Sequence, residues 1–378
     1  MSRDEEVATM DVLADDRSVI QRILDHIDNE TTDVSETVWR EPVEHYRSPE
    51  RFAVEVALVL RRVPTPFCPS AALPERGSFV ARDAAGIPIL AVRGDDGRVR
   101  AFRNTCRHRG TQLVDGSGCE KAFVCRYHGW TYGLDGALRH VPHEHGFPGL
   151  EKSTRGLVPV EAAERRGLVF VTQEPASARL DELPPLIPSD RRLFGIFERE
   201  LPANWKIVVE GFLEGYHIRS THRQTFYPVQ FDNLNVVETF GRNSRVTFPY
   251  RAINKLRAIP PAERTVEGKL TYVYHLFPNA IVATFPTFMA MVVLEPLAID
   301  RTKILTYTLI DAGEGQSAGN RPSEFVDAGA VEDNAMACAV QRGVATGANE
   351  FFEFGRFEGA IGHFHRTLRD ALAGAGAT

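Results

Sequence analysis

Residues 204–222 read Asn-Trp-Lys-Ile-Val-Val-Glu-Gly-Phe-Leu-Glu-Gly-Tyr-His-Ile-Arg-Ser-Thr-His. Glu210, Glu214 and His217 follow at spacings of four and three, which a continuous helix would stack on one face. His222 lies five residues past His217, so the helix must end or bulge between them if both imidazoles are to meet. Two histidines with a carboxylate nearby suit a facial ferrous site with positions left for dioxygen. An amphipathic helix with packed histidines would show the same spacing, and this stretch alone leaves both readings open.

A second set of metal-ligand residues lies about a hundred residues upstream. Cys106-Arg107-His108 is followed, after sixteen residues, by Cys125-Arg126-Tyr127-His128. Two such pairs can bind structural zinc, or a 2Fe-2S cluster with two thiolates on one iron and two imidazoles on the other. Zinc fingers usually pair Cys with Cys and His with His, whereas here each loop supplies one of each, which suits a cluster with two unlike irons. Arg109-Gly110 and Gly129-Trp130-Thr131-Tyr132 add tight turns and aromatic cover.

The spacing Cys-x-His-x16-Cys-x-x-His, with Gly-Trp-Thr-Tyr after it, resembles the Rieske domain of Rieske non-haem iron oxygenases. The Asn-Trp-Lys…Glu-Gly-Tyr-His-x4-His stretch resembles the catalytic motif of the family's large, terminal oxygenase subunit, the alpha subunit of the aromatic-ring-hydroxylating dioxygenases. The resemblance covers residues 45–378. It implies a 2Fe-2S cluster on Cys106, His108, Cys125 and His128, and a mononuclear Fe(II) on His217, His222 and Asp333. Asp333 follows from the match of Val331-Glu332-Asp333, ahead of Gln341-Arg342-Gly343, to the segment that supplies the carboxylate ligand. The match also gives Glu214 the role of inter-subunit electron relay; Asp is commoner there, and Glu occurs in a subset that includes oxidisers of quaternary amines. Glu210 falls where the family often has a polar residue near the iron, as a proton- or water-positioning group or an ordinary helix-face glutamate.

Length and composition agree with this reading. The 378 residues allow two domains and an appendage, with 43% hydrophobic and 25% charged residues. The net charge of −6, with no basic cluster, gives no reason to expect a nucleic acid or membrane partner. An acidic start without an apolar run, and five scattered cysteines unsuited to a disulfide framework, predict a cytoplasmic metalloprotein.

The expected fold class is α+β: an N-terminal helical arm over 1–64, an all-β Rieske domain over 65–180 and a helix-grip catalytic domain over 181–378. In the arm, Val19, Ile20, Ile23, Leu24 and Ile27 form an apolar stripe capped at Asp16 or Ser18, and a second helix opens at Ser48-Pro49. Asp95-Asp96-Gly97 and Asp135-Gly136 mark hairpins. Leu183-Pro184-Pro185 and Pro188 read as a linker. Strands are expected over 235–240, 245–249, 270–277, 280–285, 289–295 and 303–311, then helices over 323–342 and 351–372.

His140, His143 and His145 read as surface residues, His363 and His365 as packed or solvated, and His275 as facing either a cavity or the core. Cys119 and Cys338 read as free thiols. The loop from Gly313 to Gly319 does not have the spacing of a phosphate cradle, so electrons are expected from a separate reductase, directly or through a ferredoxin. The family resemblance implies a homotrimer or a multiple of trimers, with or without a small beta subunit. The expected reaction is hydroxylation of an organic substrate with O2, by cis-dihydroxylation or monooxygenation. Phe226, Tyr227, Phe231, Phe240, Phe248, Tyr250, Phe285, Phe288 and Met289 suit an aromatic or aromatic-acid substrate. The alternative is N- or O-demethylation of a quaternary amine, bound through cation–π contact, or of a methoxy compound. A bare electron carrier or a zinc-stabilised binding protein are the readings from other classes.

Overall fold

Short runs of β-branched and aromatic residues between glycine turns make residues 65–172 a sheet in the computed structural model, which describes residues 13–313 and 324–376. Seven strands pair in the order Thr65–Pro69, Leu168–Thr172, Pro159–Arg165, Val99–Arg103, Ile87–Arg93, Ser78–Ala84 and Gly116–Cys119. The Asp95-Asp96-Gly97 turn joins two of them, with Gly97 at φ 75°. A separate three-stranded sheet, Phe123–Val124, Thr131–Tyr132 and Leu138–His140, carries the second Cys/His loop.

The other large sheet is also antiparallel and seven-stranded. Its order is Arg191–Leu201, Arg301–Asp311, Met289–Ala298, Ala280–Thr284, Leu270–Leu276, Asn243–Pro249 and Val236–Phe240. Among the described residues six α-helices accompany the sheets: α1 (Asp16–Asn29), α2 (Pro49–Glu55), α3 (Trp205–Gly211), α4 (Ile218–Thr221), α5 (Glu324–Val344) and α6 (Gly359–Gly376). Helices α3 and α6 pack on the second sheet, and α5 packs on α3. The α+β class and the order of β domain before catalytic domain are those the sequence indicates.

Several expectations need correction. The arm is not wholly helical: Trp39–Pro42 is a strand paired with Phe351–Phe354, which therefore leave the expected closing helix, and α6 starts at Gly359. Backbone pairing between distant segments overrides a local helical preference there. The cap of α1 is Asp15, whose carboxylate accepts from the Ser18 amide at 2.8 Å. Ser48 caps α2 as expected, and its helix continues into a π turn over Val56–Leu60. The 11-residue strand Arg191–Leu201 escapes sequence reading because it is a charged edge strand with most of its side chains solvated. The proline-rich connector is not a free tether, since Leu183, Leu186 and Ile187 are buried in the core. The rejected phosphate loop over 314–319 and the expected helix start at Ser323 lie outside the described residues.

Candidate metal centres

The two Cys/His loops are built alike. In the first, the Gly110 amide donates to Cys106 O at 2.9 Å and the Cys106 amide to Thr111 O at 2.8 Å. In the second, Gly129 donates to Cys125 O at 2.9 Å and Cys125 to Trp130 O at 2.8 Å. Gly110 and Gly129 sit at φ 79° and 74°, where a side chain is strained, so each loop turns back through glycine. Each turn presents a buried cysteine and, two or three residues on, a histidine.

The Cys106 and Cys125 thiols face each other within hydrogen-bonding reach, and burial pushes the Cys106 thiol up despite a contact with the Tyr132 hydroxyl at 3.3 Å. The His108 and His128 rings lie with centroids 4.7 Å apart. Trp130 stacks on His108 at 4.9 Å, with Phe147 edge-on at 5.7 Å. His108 Nδ1 is buried with no hydrogen-bond partner. Two buried thiols and an unpartnered imidazole nitrogen are the donor chemistry a 2Fe-2S cluster needs.

The second centre draws on three separate segments. Asn204 caps α3 by accepting from the Lys206 amide at 3.0 Å, and its side-chain amide donates to Tyr46 O and Ile299 O. Trp205 is fully buried, and Lys206 pairs with buried Glu55 at 2.7 Å. This anchors the helix, which ends at Gly211. The expectation that Glu210, Glu214 and His217 share one helix face is therefore wrong: the chain breaks before His217, earlier than the histidine spacing suggested, and α4 begins at Ile218. Gly215 allows the break because a Cβ there would lie 2.3 Å from Asn235 Oδ1.

The break brings the two imidazoles together. His217 Nε2 and His222 Nε2 lie 3.1 Å apart, and Asp333 Oδ1 of α5 lies 2.8 Å from His222 Nε2 and 3.5 Å from His217 Nε2. Bonds of about 2.1 Å at right angles put cis ligands roughly 3 Å apart, so the three atoms describe one face of an octahedron. The opposite imidazole nitrogens are engaged as well. His217 Nδ1 hydrogen-bonds Glu214, and His222 Nδ1 donates to Glu332 Oε2 at 2.8 Å. With Nδ1 held by a carboxylate, Nε2 is left for metal.

The electrostatics agree. Burial works against a charged His217, but Asp333 and Glu214 outweigh it and raise its pKa to about 10. Burial likewise opposes ionised Asp333, and hydrogen bonds from His217 and His222 hold it below the usual carboxylate range. A metal bound among these three groups would take the place of the proton that Glu214 and Asp333 favour on His217.

Glu332, which sequence reading gave only as a neighbour of Asp333, is the carboxylate that the structure places on His222 Nδ1. Its carboxylate also accepts from Thr225 Oγ1 at 2.6 Å. No sequence signal marks it beyond its place beside the carboxylate ligand. Phe226 lies on His222 with centroids 4.5 Å apart, close against α5 at Gly329, where a Cβ would lie 2.2 Å from the Phe226 ring.

Glu210 turns elsewhere: it accepts from the Tyr46 hydroxyl at 2.6 Å and contacts His365 Nε2 at 2.9 Å, buried beneath the arm. His275 is buried, kept neutral with a pKa near 4 by burial, and donates to Pro278 O at 3.2 Å. His143, His145 and Cys119 are exposed, and Cys338 is a half-buried free thiol.

A cavity of about 490 Å³ is walled by Tyr250, Phe285 and Phe288, with Arg251 at its edge. Val326, one of its walls, lies on α5 two turns before Asp333. Of the other expected pocket residues, Phe240, Phe248 and Met289 pack in the core, and Tyr227 and Phe231 stack beneath Arg251. Arg245 is spent on Glu238 at 2.6 Å, and Arg219 and Arg223 are exposed.

Comparison with known proteins places both halves. Residues 63–154 match the Rieske [2Fe-2S] domain, and residues 190–374 match the ring hydroxylating alpha subunit (catalytic domain). The chain is 31% identical over 235 residues to the carnitine monooxygenase oxygenase subunit of Acinetobacter pittii, covering 56% of this chain and 62% of that protein. It is 25% identical over 331 residues to chloroplastic choline monooxygenase of Beta vulgaris, covering 79% of this chain and 69% of that one. The chain thus spans about three fifths of the length of the Acinetobacter relative. Among solved structures, the quaternary ammonium Rieske monooxygenase CntA superposes with a TM-score of 0.74 at 20% identity, covering 96% of this chain and 99% of that one. Naphthalene 1,2-dioxygenase superposes with a TM-score of 0.69 at 18% identity, over 88% and 92%. With its paired Cys/His loops ahead of a candidate metal site, the chain joins a Rieske [2Fe-2S] domain to a ring hydroxylating alpha subunit catalytic domain.

Proposed function

We propose that this chain is the terminal oxygenase component of a Rieske monooxygenase that oxidises a quaternary ammonium compound. The observation that carries the oxygenase reading is the facial set of His217 Nε2, His222 Nε2 and Asp333 Oδ1, with each imidazole's other nitrogen held by a carboxylate. When bound, the 2Fe-2S cluster passes on single electrons and the ferrous iron activates dioxygen. Cys106, His108, Cys125 and His128 would hold the cluster, and His217, His222 and Asp333 the iron.

The remaining steps belong to side chains. Glu214 couples His217 to an incoming electron by keeping its carboxylate on Nδ1, and Glu332 fixes the His222 tautomer. Tyr127, 55% exposed and stacked on His128 at 3.7 Å, lies where an electron partner can reach the cluster loops. The family resemblance supports a head-to-tail homotrimer in which the cluster of one subunit serves the iron of the next, with electrons from a reductase or ferredoxin. Hydroxylation uses one dioxygen, two electrons and two protons per substrate and forms one water.

For the substrate, the quaternary-amine reading is better supported than the aromatic one. The relatives are named for carnitine and choline, and the family resemblance gives Asp as the commoner residue at the position of Glu214. The faces of Tyr250, Phe285 and Phe288 suit a trimethylammonium group, and Arg251 suits a carboxylate at its other end. The testing experiment measures reductant-dependent oxygen uptake with identified products over carnitine, choline, glycine betaine, benzoate and naphthalene. Turnover of the first three supports this reading; turnover confined to the aromatic compounds overturns it. The absence of a described helix long and apolar enough to cross a membrane is compatible with the cytoplasmic location we assign.

A further inference from the structure

One aromatic ring touches both the candidate iron site and the helix that walls the cavity. Phe226 follows His222 by four residues, and its half-buried ring lies on that imidazole with centroids 4.5 Å apart. The other end of the ring presses on α5 at Gly329, where a Cβ would lie 2.2 Å from Phe226 Cζ and 2.4 Å from Cε2. The turn that carries the ring is closed by its own backbone. The Tyr227 amide donates to His222 O at 3.0 Å, and the Val229 and Gln230 amides donate to Phe226 O at 3.0 and 2.8 Å. Thr225 ties the same turn to α5 by donating to Glu332 Oε2 at 2.6 Å.

Two segments bound this space, and both give the same order. Along the turn, His222 of the three-residue face is followed by Phe226 and then by Pro228 and Val229 of the cavity wall. Along α5, read back from Asp333, Gly329 lies one turn away and Val326 of the cavity wall one turn further. Spacings of three and four put Val326, Gly329 and Asp333 on one face of the helix. The ring therefore stands at the inner end of the cavity, on its path to the iron ligands.

We propose that Phe226, seated in the notch at Gly329, sets how far a ligand in the cavity reaches toward the iron and thereby selects the headgroup that is oxidised. The inference rests on the function proposed above and deepens its substrate side: a ring at this point favours a compact trimethylammonium head over a bulkier one. An apolar wall discriminates by bulk, about 10–200-fold for a methylene-sized difference. A substrate lying against a missing wall also loses alignment, which lowers kcat more than it raises KM. A ring that only braced His222 would change iron retention and leave ligand preference alone.

The test compares full-length holoenzyme with Phe226→Leu, Phe226→Val and Phe226→Ala, each normalised to bound iron. The graded series keeps the comparison available should the smallest side chain lose its iron. Calorimetry without reductant measures binding of tetramethylammonium and benzyltrimethylammonium, which differ only in bulk. Preference for the benzyl compound should rise about tenfold or more as the side chain shrinks. In turnover of carnitine, choline or glycine betaine, kcat should fall by a larger factor than KM rises. Gly329→Ala should lower iron content, and adding Phe226→Ala should return it to the level of Phe226→Ala alone. An unchanged preference per bound iron across the series, with or without iron loss, overturns the proposal, and no recovery in the double variant overturns the notch. A wild type that binds neither ammonium ion, with a naphthalene-to-benzoate preference that still tracks residue 226, overturns the quaternary-amine reading alone.

Discussion

The two metal-binding regions of this chain are assembled in opposite ways. The cluster loops lie within one β unit, two short turns with matching hydrogen bonds separated by sixteen residues between His108 and Cys125. The proposed iron face is gathered from a broken helix and from α5, whose Asp333 lies more than a hundred residues past His222. A local site can be damaged only by touching its own loops, whereas a gathered site depends on every contact that positions its parts. The gathered site should therefore show the larger and more distant mutational sensitivity.

Removing a ligand breaks the comparison most completely. His222→Ala should abolish mononuclear iron and activity while leaving the visible spectrum of the cluster intact; Cys106→Ala should bleach the cluster and abolish activity while leaving mononuclear iron bound. Bleaching of the cluster by the first change would show the two centres to be interdependent. Glu214→Gln comes next. Both metals should stay bound, with single-turnover oxidation slowed by about a hundredfold or more because the His217 proton loses its carboxylate partner; an unchanged single-turnover rate would remove Glu214 from the electron route.

Losing the carboxylate that holds His222 from behind should give a smaller, graded loss. Glu332→Gln should weaken iron binding by about 10–100-fold while Asp333→Ala loses it, as measured by iron content after dialysis; the opposite ranking would move the ligand by one residue. Distant packing should matter as well. Gly215→Ala forces a Cβ to 2.3 Å from Asn235 Oδ1 and should cost about 1–3 kcal/mol with lowered iron occupancy. Gly110→Ala, strained by its φ of 79° but with open space around it, should cost about 1 kcal/mol, read as a small drop in Tm with cluster content retained.

Much of the molecule is legible in its sequence. The glycine and cysteine spacing of the two loops encodes their turns, because a tight turn closed by a residue at positive φ is a local event. The strands of the second sheet were legible from apolar runs such as Leu270–Leu276, buried at every position. The misread elements share one cause. Phe351–Phe354 has helical neighbours yet becomes a strand because Trp39–Pro42 pairs with it, and Arg191–Leu201 is too charged to signal an edge strand. Glu210 was expected near the iron and instead binds Tyr46 and His365, both more than 150 residues away in sequence.

Residue type and short-range spacing carry the two cysteine–histidine loops, the paired histidines His217 and His222 and the α+β class, whereas Asp333 enters only through the family resemblance. The tertiary structure decided where the helix breaks so that two imidazoles meet, which carboxylate sets each tautomer, and that Glu210 looks toward the arm. Those outcomes depend on side chains brought together by packing over a hundred or more residues, and no local pattern records such a meeting.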